Sequence, residues 1–144
     1  MNLSKENIYI AIQRYLERQE DVVFAYLFGS FVNREAYRDI DIGIYMEPYP
    51  ALVRLGKMQA TLEEQLKAEV DLVLLNNIPD KKPSFGFEVV SKGELVINKN
   101  AGLHESYKRR VLFHYFDTAY LRKQTEQAFS KRMKSGKFAR RNYE

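Results

Sequence analysis

The chain contains no cysteine, which excludes disulfides, thiolate metal sites and a cysteine nucleophile together. It has only two histidines, His104 and His114, a poor supply for a zinc site. Long apolar runs are also missing. No stretch approaches the roughly 20 apolar residues needed to span a bilayer, and the opening Met1-Asn2-Leu3-Ser4-Lys5-Glu6 lacks the basic and apolar regions of a signal peptide. The resulting expectation is a cytoplasmic protein with no membrane partner.

What is present is ordinary globular material: 45% hydrophobic and 29% charged residues in a chain of 144, enough for one domain with a real core. The net charge of +4 is unevenly spread, because Lys123, Lys131, Arg132, Lys134, Lys137, Arg140 and Arg141 crowd the last 22 residues. We therefore expect a domain over 1–130 and a basic tail over 131–144. Such a run reads first as a solvated terminus; an acidic or nucleic-acid partner is the other reading of the tail. For the domain no nucleic-acid partner is expected.

Along the chain, Ser4 precedes apolar residues at helical spacing (Ile8, Ala11, Ile12, Tyr15, Leu16), predicting an amphipathic first helix. Val22 to Phe28 reads as a buried strand stopped by Gly29-Ser30, and a short helix or turn over Phe31 to Tyr37 leads into a strand from Asp39 to Met46. Leu52, Leu55, Met58, Leu62 and Leu66 mark a crossover helix within Ala51 to Ala68, followed by a strand over Val70 to Leu75. Ile78 to Pro83 reads as a loop, Phe85 to Ser91 as a short helix ended by Gly93, and Glu94 to Asn98 as a short strand. A single long helix is predicted from His104 to Met133. The whole is an α/β (α+β) arrangement, a small mixed sheet flanked by helices.

Two carboxylates interrupt the second strand. On a strand, alternate side chains share a face, so Asp39 and Asp41 point one way while Ile40, Ile42 and Ile44 point into the core. Like charges so placed raise one pKa and cost stability unless a cation joins them. Hard divalent cations such as Mg²⁺ want such oxygen ligands, completed by water and substrate phosphates. In "AEVDLVLLNN", Asp71 breaks a third apolar strand, and an adjacent position would bring it beside the pair. Three convergent carboxylates can hold two Mg²⁺ ions, with Asp71 nearest the nucleophile as metal ligand and candidate base. Gly29-Ser30 supplies a close backbone approach and a hydroxyl at a helix start, both suited to a triphosphate.

The combination of strand, Gly29-Ser30, short helix, Asp39-Ile40-Asp41 strand, helix and Asp71 strand resembles the minimal nucleotidyltransferases of the DNA polymerase beta superfamily. Together with "VDLVLLNNIP", "GFEVVSKGELVINKN" and the Tyr- and Arg-rich final helix, it is similar over nearly the whole chain to the MntA family of adenylyltransferase antitoxins. The resemblance implies the minimal nucleotidyltransferase fold, and transfer of AMP from ATP to a tyrosine of a partner HEPN ribonuclease toxin, silencing it. It carries over Gly29 and Ser30 as triphosphate contacts and Asp39, Asp41 and Asp71 as metal-binding and catalytic carboxylates. Many relatives have a basic residue and then Gly after the Gly-Ser; here Asn33 and Arg34 stand there, and the spacer to Asp39 is eight residues, shorter than usual. That makes Arg34 and Arg38 substitute phosphate contacts. The alternatives are an antitoxin that neutralises its toxin by binding alone, and a transferase acting on a small molecule.

Arg109 and His114 show the Arg-x4-His spacing of HEPN ribonucleases, but those domains are all-helical and this chain has strands, so His114 reads as a surface or interface residue. His104 reads as part of a helix start. The aromatic side formed by Tyr107, Phe113, Tyr115, Phe116 and Tyr120 fits either core or a partner interface.

Overall fold

The computed structural model describes residues 3–135; residues 136–144, most of the expected basic tail, lie outside the described residues. Ser4 caps α1 (Lys5–Glu17) by accepting from the Asn7 amide, and Ile8, Ile12 and Leu16 form its buried stripe. Then follow β1 (Val22–Phe28), α2 (Ser30–Asn33), β2 (Ile40–Met46), α3 (Leu52–Leu66), β3 (Val70–Leu74), α4 (Ile78–Lys81), α5 (Pro83–Lys92), β4 (Glu94–Asn98), α6 (Ala101–Asp117) and α7 (Ala119–Ser135). No helix of the described residues is long and apolar enough to cross a membrane.

The four strands form one mixed sheet in the order β3-β2-β1-β4. β1 runs antiparallel to both β2 and β4, whereas β2 and β3 are parallel, as their helical crossover requires. Strand alternation sorts the side chains into two cores. Ala25 and Leu27 of β1, with Ile40, Ile42, Ile44 and Met46 of β2, pack on one face against α1 and α3. Phe24 and Tyr26 pack on the other with Val89 of α5 and Tyr107 and Val111 of α6. On this second face the Tyr26 hydroxyl lies 2.6 Å from His104 Nε2, and the Tyr107 hydroxyl donates to the Leu75 carbonyl at 2.8 Å, so the buried polar groups are satisfied. His104, in the first turn of α6, is thus a core residue.

Several boundaries differ from the sequence-based expectation. The predicted long terminal helix is two helices of 17 residues each, broken at Thr118. At this break the Thr118 hydroxyl donates back to the carbonyls of His114 and Tyr115. The predicted loop at 78–83 contains the single turn α4, and α5 begins at Pro83, whose missing N–H suits a first helical position. The helix after Gly29 ends at Asn33. β2 begins at Ile40, leaving Asp39 one residue outside it. α7 continues unbroken across the expected domain boundary at 131.

Candidate active site

β1 ends at Phe28, whose cross-strand partner is Asp41, and Asp41 is in turn in register with Asp71 on the parallel strand β3. Because Ile40, Ile42 and Ile44 are buried on the α1–α3 face, Asp41 faces the other way, toward α5. Asp71 follows the same logic: Val70 is buried among the first-face residues and Leu72 and Leu74 pack against them. The two carboxylates therefore come together on one side of the sheet.

Gly29 makes the next contact possible. Its backbone sits at φ 77°, ψ −154°, a region open essentially to glycine alone. A Cβ there would stand 2.1 Å from Asp41 Oδ2. The Asp41 carboxylate thus lies against the bare backbone of the turn that opens α2. Ser30, half-buried, follows directly.

The Asp41 carboxyl is held above its ordinary range, first by burial and then by the negative charges of Asp71 and Asp39. Asp39 and Asp71 are thereby each within electrostatic reach of Asp41. Among the described residues no ion pair involves any of them, so their repulsion goes uncompensated by protein groups. No three carboxylate or imidazole side chains of the described residues form a ready-made metal cage. The donor set nonetheless suits a hard cation that arrives with its own water and phosphate ligands, since Mg²⁺ is held in such sites by one or two carboxylates.

The carboxylates open onto a cleft of about 310 Å³. Its floor is Phe28, Gly29, Asp41, Asp71 and Val73; its other wall is the Phe85, Glu88, Val89 and Lys92 stripe of α5, with Asn33 at the α2 end. Phe28 and Phe85 meet edge to face at 5.5 Å between ring centres. Of the residues singled out from sequence, Gly29, Asp41 and Asp71 line this cleft; Asp39, half-buried, stands just before β2. Arg34 and Arg38 are not among the lining side chains. Arg34 is exposed at the end of α2, and Arg38 lines a different depression with Tyr37, Lys67 and Glu69. The α5 residues went unnoticed in sequence, although Phe85, Val89 and Lys92 do fall at the helical spacing of one face.

Of the Arg109–His114 pair only His114 serves structure: its Nε2 lies 2.9 Å from Asp80 Oδ1, and Arg110 reaches the same carboxylate, tying α6 to α4, while Arg109 is exposed.

Among curated protein sequences no relative matches this chain. Among solved structures, the complex of a tri-AMPylated Shewanella oneidensis HEPN toxin with its MNT antitoxin contains a chain of the same fold, with a TM-score of 0.64, 19% identity, and coverage of 90% of this chain and 98% of that one. A toxin-antitoxin structure with AMP-PNP matches at a TM-score of 0.62 and 20% identity, covering 91% and 99%. A toxin-antitoxin MntA-HepT structure matches at 0.57 and 19%, covering 90% and 97%. The model of the family described as Polymerase beta, Nucleotidyltransferase matches residues 11–102, the span that holds Gly29, Asp41, Asp71 and the α5 wall, and the chain belongs to that family.

Proposed function

We propose that the protein is an MntA-type adenylyltransferase antitoxin, which transfers AMP from ATP to a tyrosine hydroxyl of a cognate HEPN toxin and releases pyrophosphate. The observation that carries this reading is the in-register Asp41–Asp71 pair, set against the glycine turn and without an ion-pair partner among the described residues. The matched structures that include an AMPylated HEPN toxin and AMP-PNP support the choice of nucleotide and acceptor.

In this reading Asp39, Asp41 and Asp71 hold Mg²⁺, up to two ions, which would supply charge neutralisation at the phosphates and a more acidic acceptor hydroxyl. Gly29 and Ser30 bring backbone and hydroxyl to the triphosphate. Asp71, the exposed member of the pair, receives the proton as the acceptor oxygen bonds to the α-phosphorus and the bond to pyrophosphate breaks. No covalent enzyme intermediate is required; alignment and electrostatics carry the rate.

A protein acceptor is further supported by the exposed apolar side chains of α6 and α7. Phe113, Phe116 and Tyr120 are 66%, 63% and 67% accessible, and Leu121 stands beside them at 61%; a cluster of exposed aromatics of this size marks an interaction surface. Tyr107, by contrast, is 2% accessible and belongs to the core.

The test is incubation with labelled ATP, Mg²⁺ and the protein encoded beside this one, comparing the wild type with Asp39→Asn/Asp41→Asn. Label on the partner that disappears in the double variant supports transfer. Inhibition of the partner's ribonuclease activity without label overturns it in favour of binding alone.

A further inference from the structure

A triphosphate carries more negative charge than a glycine turn can balance, and the two arginines that the sequence offers for it do not line the cleft. Among the described residues that do, Lys92 is the one cation. It occupies the last turn of α5 on the same stripe as Phe85, Glu88 and Val89, a spacing that puts all four on one side of the helix.

Sheet register fixes where the chain leaves α5. β4 pairs antiparallel with β1, with Glu94 opposite Leu27, and a Cβ on Gly93 would stand only 3.0 Å from the Leu27 carbonyl oxygen. Gly93, which links α5 to β4, therefore lies against the end of β1, and Lys92 directly precedes it. Across the sheet the order is then Asp71 on β3, Asp41 on β2, the Gly29 turn after β1, and β4, which the helical Lys92 precedes by two residues. Two anions lie on one side of the turn and a cation on the other. Asp41, Asp71 and Lys92 line one cleft of about 310 Å³, a space that a metal-bound polyphosphate can occupy. Lys92 is exposed and has no ion-pair partner among the described residues; Glu88, one turn away, does not neutralise it. Its charge is available to a ligand.

We propose that Lys92 is the phosphate-binding cation of this cleft, meeting the β- and γ-phosphate oxygens of the nucleotide on the side of the Gly29 turn away from the carboxylates, a role that Arg34 and Arg38 do not share. The proposal rests on the nucleotidyltransferase reading above. A lysine at this point acts as a compact point charge on a flexible stem, and needs no planar, bidentate geometry to follow the polyphosphate.

Calorimetric titration with ATP and with AMP, Mg²⁺ present throughout, tests it on the wild type, Lys92→Gln, Lys92→Arg, Arg34→Gln and Arg38→Gln. Loss of one charge-assisted contact weakens ATP binding by about tenfold or more. Lys92→Gln should show that loss for ATP and a smaller one for AMP, Lys92→Arg should recover most of it, and the other two variants should bind ATP as the wild type does. Unchanged ATP affinity in Lys92→Gln, equal losses for ATP and AMP, or a loss carried by Arg34→Gln or Arg38→Gln would each overturn the assignment while leaving the enzyme reading intact. A wild type that binds no ATP would remove both.

Discussion

Replacing Asp41 with Asn should make the ligand-free protein more stable while abolishing transfer. The Asp41 carboxyl is held above its ordinary value of 3.8 by burial, with Asp71 and Asp39 adding to the effect. In the unfolded chain it ionises near that value. At neutral pH the fold therefore carries an anion that it disfavours, and the associated stability is complete only below about pH 4 and is lost as pH rises through the folded pKa. Two unit charges about 5 Å apart, the spacing of neighbouring strands, repel by about 3 kcal/mol at an effective dielectric constant of about 20 and by about 0.8 kcal/mol in bulk water. Because Asp71 is exposed, the lower end applies, and a gain on the order of 1 kcal/mol is expected for the Asn variant. In a domain of this size that raises Tm by about 3 °C. Urea denaturation in EDTA at pH 7 and at pH 3.5 measures it: the gain should appear at pH 7, vanish at pH 3.5, and shrink when Asp71→Asn is already present. Saturating Mg²⁺ and ATP should reverse the ranking, since only the wild type then gains binding energy in the folded state. A destabilised Asp41→Asn protein at pH 7, or a gain that persists at pH 3.5, would refute the view that Asp41 is an uncompensated charge kept for a ligand.

Gly29→Ala should cost about 1–3 kcal/mol of stability from backbone strain alone, and displacing the Asp41 carboxylate, which the new Cβ would meet at 2.1 Å, should lower transfer by about 100-fold in a labelled-ATP assay. Arg54 donates to both Asp21 oxygens at 2.9 and 3.0 Å, holding that carboxyl below its ordinary range. The pair is partly exposed, so Arg54→Ala should lose about 1 kcal/mol at pH 7; in urea titrations the deficit should begin to fade as pH falls below about 4 and vanish only once pH has dropped through the lowered pKa of the wild-type Asp21. Phe116→Ser/Tyr120→Ser, on the exposed side of α6 and α7, should leave Tm unchanged within error and weaken co-purification with the neighbouring gene's product; undiminished co-purification would remove that surface from the interface.

The sheet was legible because strand alternation and burial carry the same message. Ile40, Ile42 and Ile44 in one strand and Val70, Leu72 and Leu74 in the other declare which face is core, and the helical crossover between them suits the parallel pairing. The Thr118 break was not legible. Neither Asp117 nor Thr118 is a strong helix breaker, and the hydroxyl that turns back onto two carbonyls at the break is a choice among rotamers that composition does not encode. The start of β2 was placed one residue early because Asp39 continues the alternation in type while making no ladder contact.

The two halves of the cleft differ in legibility for an electrostatic reason. A carboxylate inside an apolar strand contradicts its surroundings, and the contradiction is local: Asp41 sits between Ile40 and Ile42, Asp71 between Val70 and Leu72. Such a residue needs an explanation before any tertiary structure is known. Lys92 contradicts nothing, since a lysine near the end of a helix is favoured by the helix dipole and by solvent. Its relation to Gly29 arises only once β4 is laid antiparallel on β1 and α5 walls the cleft beside the turn. The anionic half of the site is thus written as a local conflict and the cationic half as a consequence of topology, and the ATP and AMP titrations of Lys92→Gln probe the half that folding alone assembles.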